Sequence, residues 1–342
     1  MKIKTFNGNF FELGKQQGQI YYRNGMVFNN AKIDKVLNQN QLRTYKRFYP
    51  ELLEELEGMA QGGNFDKERL IYNSICGEIL WFKRKLRLNK ACTIFGVKNK
   101  NGIFIGRNYD WIPKAENFVE AYKFANPQRN SFIAISDMGI GSEAGAKPQF
   151  AFYNVDDAIN DKGLFIGLTF AYNNKWTYGL SCIHMTKLIA ETCSTTHEAI
   201  KVFKKVPLCC PKNFFIADKD GEMAVIEHTS KKFKVVYPNR DVLILTNHYT
   251  DLELAKEDLV LDEIPTHSTF LRYYETLQKI NKRKSNFKLD DTIKILGNVK
   301  SFVCQNNPKI KTLWSLALDL KKKEYKLYLN LLGKRKEVSL II

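Results

Sequence analysis

The hydrophobic period of this chain changes abruptly at Ala91, and that change constrains the fold more than any other feature. Ahead of it, Phe11–Asn29, Gln41–Ala60 and Asp66–Phe82 carry apolar residues at helical spacing, as in Leu52, Leu53, Leu56 and Met59. Gly62-Gly63 ends the second run, and Asp66 can cap the third. The region up to Ala91 therefore reads as helical, without a strand. Beyond it the chain breaks into short apolar runs separated by turn signals. Cys92–Lys98 and Ile103–Asn108 flank Asn99-Lys-Asn-Gly102, where Asn101-Gly102 is a favoured hairpin turn. Further strands are expected at Val119–Phe124, Phe132–Ile135, Gln149–Asn154 and Leu164–Leu168. Helices Leu180–Cys193 and Thr195–Lys205 follow, the second opening on a Thr195-x-x-Glu198 capping box. Asn213–Ala217, Met223–Glu227, Phe233–Tyr237 and Val242–Thr246 return to strand character, with Asp220-Gly221 as a turn. Ser268–Ile280 and Leu289–Leu296 read as helices, and Thr312–Asp319 with Tyr325–Leu331 as a closing pair of strands. Antiparallel hairpins, then helices, then strands again predict an α+β chain of layered αββα type.

Composition narrows the function classes. With 342 residues, 44% hydrophobic and 26% charged, the chain has ordinary globular usage. No run approaches the roughly 20 apolar residues of a membrane span, so none is expected. The N-terminus lacks the apolar core of a signal peptide. Seven cysteines form an odd set without a framework spacing, which suits reduced thiols and a cytoplasmic setting. No metal-ligand spacing, Rossmann glycine signature or phosphate loop is present, and no cofactor is called for. The formal net charge of +17 would draw polyanions or acidic substrates. Its lysines are scattered over several clusters, Lys83–Lys90 among them, without a nucleic-acid-binding motif, so a solvated basic surface is the simpler account.

Position separates Cys92 from the other cysteines. It opens the first strand of the β-rich part, and the following hairpin returns Arg107 and Asp110 beside it. A guanidinium favours the reactive thiolate, and a carboxylate can hold an ammonium or a proton donor. The same spacing also fits a buried strand cysteine beside a surface ion pair. Of five histidines, His184 and His197 lie on expected helices, whereas His248 follows a strand and could line a pocket. Tyr109, Trp111, Phe152, Phe170, Tyr172 and Trp176 lie in segments that could form an apolar acyl pocket or, equally, ordinary core.

The run Ala91-Cys-Thr-Ile-Phe-Gly96, followed by Gly106-Arg-Asn-Tyr-Asp-Trp111, resembles the start of the mature chain in choloylglycine-hydrolase-type enzymes. It is more similar still to the isopenicillin N acyltransferase relatives, linear-amide C–N hydrolases whose cysteine is internal and preceded by a helical pro-segment. Asn160–Thr169, Lys212–Asp218 through Glu227, Thr246-Asn-His-Tyr249, Ser268-Thr-Phe-Leu-Arg272 and Phe11–Gly18 extend the likeness over most of the chain. The resemblance implies an Ntn-hydrolase sandwich over residues 92–342 and a pro-segment over 1–91. It implies that Cys92 cuts the Ala91–Cys92 bond and then acts through its freed α-amine. Relatives that cut themselves usually carry Gly where this chain has Ala91. The remaining roles carry over by position. Arg107 would steady the thiolate or the carbonyl, Asp110 would hold the α-ammonium, Asn213 would donate to the oxyanion, and Arg272 would be a cation near the nucleophile. Thr169, Trp111, Phe170 and His248 would line the substrate site. The expected partner is a small acyl-amide or acyl-thioester, with no specific nucleic acid, and a homo-oligomer is left open. Two other readings stand beside this one: an uncut cysteine amidase with His248 as base, and a basic polyanion-binding module without enzymatic activity.

Overall fold

Close backbone contact organises the N-terminal region. The computed structural model describes residues 3–26, 32–83, 90–137, 155–259, 268–332 and 336–342. Helices α1 (Phe10–Arg23) and α3 (Pro50–Gly63) cross through glycines. A Cβ on Gly14 or Gly18 would lie 1.7 and 2.1 Å from the Glu55 and Met59 carbonyl oxygens, so only glycine permits this approach. The single helix expected over Gln41–Ala60 is in fact two, because Pro50 disfavours helical geometry at Tyr49 and starts a new helix. Thus α2 is Lys35–Phe48, Tyr49 has φ −154°, and α3 ends on Asn64 in the left-handed region. Asp66 does cap α4 (Lys67–Lys83), accepting from the Arg69 N–H at 2.8 Å. The region also contains a strand where none was expected: β1 (Lys4–Asn7) joins a sheet edge in parallel with β4 (Glu120–Ala125).

Two sheets form the middle of the molecule. One has eight strands in the order β1, β4, β5 (Phe132–Ser136), β6 (Asp157–Asn160), β7 (Phe165–Phe170), β8 (Lys212–Ala217), β9 (Met223–His228) and β10 (Phe233–Val236). The other has six: β11 (Val242–Leu245), β2 (Ala91–Asn99), β3 (Gly102–Trp111), β12 (Lys311–Asp319), β13 (Glu324–Leu329) and β14 (Lys336–Ser339). Helices α5 (Cys182–Thr192) and α6 (Thr196–Lys205) fall where the pattern predicts them, and Thr195 caps α6 through the Glu198 N–H. An irregular short helix α7 (Leu252–Ala255) precedes α8 (Thr269–Asn281) and α9 (Leu289–Leu296). The sequence reading missed β6 and β14, and the strand it expected at Gln149–Asn154 lies outside the described residues.

Period-two alternation fixes the layering. On β2 and β3, Cys92, Ile94, Ile105 and Tyr109 join a core shared with Ile133, Ile135, Phe165 and Phe215 of the larger sheet. Their neighbours Phe95, Val97 and Phe104 face the other way, onto Ile280 of α8 and Ile295 and Leu296 of α9. The outer face of the eight-stranded sheet, including Tyr122, Ala134, Ile166 and Phe214, packs on residues of α1 to α6. The order is helices, sheet, sheet, helices, the four-layer α+β arrangement the pattern predicts. All seven cysteines are free and buried. Among the described residues, no helix is long and apolar enough to cross a membrane.

Candidate active site

Register places the central residues. In the β2–β3 ladder Ala91 lies opposite Asp110, Cys92 opposite Tyr109, and Ile94 opposite Arg107. The hairpin loop is Lys100-Asn101, one residue earlier than the Asn-Gly pair suggested. Arg107 shares the inter-sheet face with Cys92 and is fully buried. Its Nε donates to both oxygens of Asp157 at 3.0 Å, and Nη2 donates to the Leu168 carbonyl at 3.0 Å. Trp314 Nε1 also donates to Asp157, at 2.8 Å, which completes a rigid cradle for the guanidinium. Burial raises the Cys92 thiol overall, with the charge and hydrogen bond of Arg107 working against that rise. Burial likewise pushes Cys76 up to about 12 and Cys193 and Cys304 to about 11.

The backbone of Cys92 is held as firmly as its thiol. Its N–H donates to Asn247 Oδ1 at 2.8 Å, and its carbonyl accepts from Arg272 Nη1. Arg272 Nη2 reaches the same Asn247 oxygen at 2.9 Å, and Nη1 reaches Thr93 Oγ1 at 2.9 Å. Asn247 Nδ2 donates in turn to the Phe170 carbonyl at 3.0 Å. Asp110 accepts from Thr312 Oγ1 at 2.5 Å, yet its Oδ2 is buried without a hydrogen-bond partner among the described residues. Burial raises this carboxyl to about 6 against the opposing charges of Arg272 and Arg107. Asn213, opposite Thr169 on β7 and β8, donates weakly from Nδ2 to the His248 carbonyl at 3.4 Å, and its Oδ1 has no partner among the described residues. Thr169 spends its hydroxyl on the Thr246 carbonyl at 2.7 Å, which ties the two sheets together beside the site.

His248 is turned to other work. Its Nδ1 meets Thr246 Oγ1 at 3.1 Å and Thr269 Oγ1 at 2.9 Å, and burial with the Arg272 charge lowers it to about 4. Among the described residues no hydrogen bond joins it to Cys92. A neutral imidazole held in this way contributes to packing against Phe270, whose ring centre is 4.3 Å away.

The residue just before the Ala91–Cys92 pair is unexpectedly ordered. Lys90 belongs to a basic cluster read as solvated, yet it is 4% exposed. Its Nζ donates to Asp137 Oδ2 at 2.5 Å and to Tyr109 Oη at 2.7 Å, beside the rings of Trp111 and Phe170. Its carbonyl accepts from Tyr172 Oη at 2.9 Å. Asn247, Asp157, Thr312, Asp137 and Lys90 were not singled out from sequence. Only Asn247 carried a signal, lying within the Thr246–Tyr249 stretch. Phe152 lies outside the described residues.

A buried thiol beside a fixed guanidinium, with an under-coordinated carboxylate and an under-used amide donor close by, can support acyl transfer through sulfur. Among solved structures the chain is similar to penicillin V acylase from Agrobacterium tumefaciens, with TM-score 0.52 and 15% identity over 73% of this chain and 86% of that one. A Caenorhabditis elegans N-acylethanolamine-hydrolyzing acid amidase ortholog matches with TM-score 0.47 and 17% identity over 67% and 93%. A mutant of the conjugated bile acid hydrolase from Clostridium perfringens matches with TM-score 0.48 and 15% identity over 73% and 92%. A search of curated sequences found no match. The fold is that of the Ntn hydrolases, in the group that contains the choloylglycine hydrolases. Residues 97–332 match the sequence profile of the acyl-coenzyme A:6-aminopenicillanic acid acyl-transferase family, and the chain belongs to that family. It is a hydrolase or acyltransferase of linear amides, which excludes the reading as a basic module without enzymatic activity. The matched stretch contains Arg107, Asp110, Asn213 and Arg272 but begins after Cys92.

Proposed function

We propose that the protein is a self-processing Ntn-type cysteine amidase or acyltransferase with Cys92 as nucleophile. The observation that carries this reading is the buried, unpartnered Oδ2 of Asp110, across the ladder from Ala91. In the uncut chain the single Cys92 N–H is spent on Asn247 Oδ1, whereas an α-ammonium freed at Cys92 carries further N–H donors and a positive charge. In the processing step the Cys92 thiol adds to the Ala91 carbonyl. The S–C bond forms, the Ala91–Cys92 C–N bond breaks, and the thiol proton ends on the Cys92 nitrogen. Water then hydrolyses the thioester, releasing the Ala91 carboxylate and restoring the thiol. An α-amine titrates near pH 8 (about 7.7–8.0) and so can take the thiol proton in each later turnover. The thiolate attacks the acyl carbon of a linear amide or thioester, and the amine or thiol departs with a proton. The acyl group passes from sulfur to water or to an acceptor amine. Arg107 steadies the thiolate, Asn213 Nδ2 donates to the oxyanion, and Arg272 with Asn247 fixes the nucleophile's backbone. An oxyanion donor of this kind contributes about 3 kcal/mol.

Denaturing mass spectrometry of wild-type protein beside Cys92→Ala tests this reading. Wild type should give two fragments meeting between Ala91 and Cys92, and the variant one intact chain. An intact wild type would sink the α-amine mechanism.

A further inference from the structure

The side chain of Lys90 occupies a built cation site. Its Nζ lies 4.1 Å from the ring centre of Trp111, 5.0 Å from Phe170 and 5.4 Å from Tyr109, all within cation–π range. Asp137 and the Tyr109 hydroxyl close the inner end, and Tyr109 donates to the same Asp137 oxygen at 2.5 Å. Trp111 and Phe170 are only half-buried, so the outer end of the cage reaches solvent. The other side chains of the cage belong to strands and loops beyond Ala91; the lysine alone precedes it.

This arrangement acquires a consequence if the Ala91–Cys92 bond is cut. Lys90 lies on the acyl side of that bond, one residue from the carbonyl that the thiol attacks. When its segment withdraws, Asp137 stays behind as a buried carboxylate without a counterion, an expensive state in a desolvated site. Arg107 is already held by Asp157 through both oxygens, and Lys212, 4.3 Å from the Phe170 ring, by Glu78 at 2.9 Å. The vacated cage then has the shape, aromatic walls and charge to take an ammonium of similar reach. We propose that the Lys90 cage is the acyl-side specificity subsite, and that the preferred substrates are amides whose acyl chain ends in a protonated primary amine. In the uncut chain Lys90 is the occupant that keeps such substrates out.

This inference rests on the self-processing reading, and the experiment separates the two. Processed enzyme is given 8-aminooctanoyl and octanoyl p-nitroanilides, which differ only in the terminal ammonium. The expected result is a kcat/KM at least tenfold higher for the aminoacyl probe. The K90M/D137N double variant removes both charges of the pair together; in it the preference should vanish or reverse. Trp111→Ala, which thins the outer wall and leaves the ion pair intact, should reduce the preference at least threefold and serves if the double variant does not mature. Should neither anilide turn over, hexylammonium and 1-hexanol are compared as protectants of Cys92 against iodoacetamide. Protection by the ammonium alone supports the subsite, and equal protection or none overturns it. Equal turnover of the two anilides, or preference for octanoyl, overturns the subsite while leaving the Cys92 mechanism standing. A chain that mass spectrometry finds uncut, with Lys90 still seated, overturns both.

Discussion

In the proposed mechanism Asp110 is the residue at which stability and activity pull apart. Its carboxyl ionises near the usual 3.8 in the unfolded chain and is raised to about 6 by burial in the uncut fold. Between those values the folded protein holds a proton that the unfolded chain has lost, so stability rises as pH falls through this window. The gain is at most about 3 kcal/mol at 1.36 kcal/mol per pKa unit. In the uncut Cys92→Ala background, Asp110→Asn should therefore raise the melting temperature at pH 7.5 by several degrees and flatten its rise on acidification. Differential scanning calorimetry at pH 7.5 and 5 checks this; a lower melting temperature would show that the charge is already compensated. With Cys92 present, the same substitution should slow the cut, and wild-type processing should fall as pH drops through about 6. Asn247→Ala is expected to slow processing at least tenfold, measured by the decay of intact mass, because it removes the oxygen that accepts from both the Cys92 N–H and Arg272. The sequence made Cys92, Arg107 and Asp110 legible because one hairpin joins them, and its register follows from a short loop. Asp157, Asn247 and Thr312 reach the site across sheets or from distant segments, and no local pattern encodes such meetings.

At the scale of elements, legibility followed length and amphipathic contrast. Helices α5 and α6 and most long strands announce themselves, whereas β1, β6 and β14 have four residues each and too few repeats to establish a period. The junction of α2 and α3 was concealed by continuous apolar spacing, although Pro50 marked it. What no pattern encodes is the polar seam between the N-terminal helices and the sheet-covering helix α5. Lys187 of α5 is 3% exposed and pairs with Glu55 of α3 at 2.7 Å and with Glu191; Tyr49 donates to Glu191 at 2.5 Å, and Gln17 to Glu55 at 2.6 Å. Removing one partner from a buried network strands the others, at a cost of about 3–5 kcal/mol. Glu51 pairs with Arg129 in a half-exposed setting, where a pair contributes about 0–1 kcal/mol. Glu55→Ala should therefore lower the urea midpoint sharply and Glu51→Ala barely, with unfolding followed by circular dichroism. Glu55→Leu with Lys187→Met should recover little of the loss unless Glu191 is also neutralised, because Glu191 is otherwise left buried without its cation. Equal effects of the two single variants would mean that water reaches the buried seam.

At the scale of the whole molecule, the question is what a cut after Ala91 would leave. The outer face of the eight-stranded sheet is covered by a core that mixes Leu13, Tyr21, Leu37, Tyr45 and Leu56 from before the cut with Tyr122, Ile166, Phe214 and Ile226 from after it. Polar contacts stitch the same boundary: Gln41 exchanges hydrogen bonds with Gly179, Tyr45 meets the Ser181 N–H and His184, and Glu78 pairs with Lys212 at 2.9 Å. Strand β1 completes a sheet edge that would otherwise expose β4. Neither piece can therefore bury its apolar face alone, since each sheet or helix stripe needs the other as a partner layer. The helices before Ala91 are in this respect structural, part of the core that covers the sheet. Processed protein should elute from gel filtration as one species containing both fragments, and should unfold in urea in one transition seen alike by fluorescence and circular dichroism. Separation of the fragments in native buffer, with the larger one still folded, would show that the N-terminal helices are a removable cover; co-elution makes them half of the wall behind the active site.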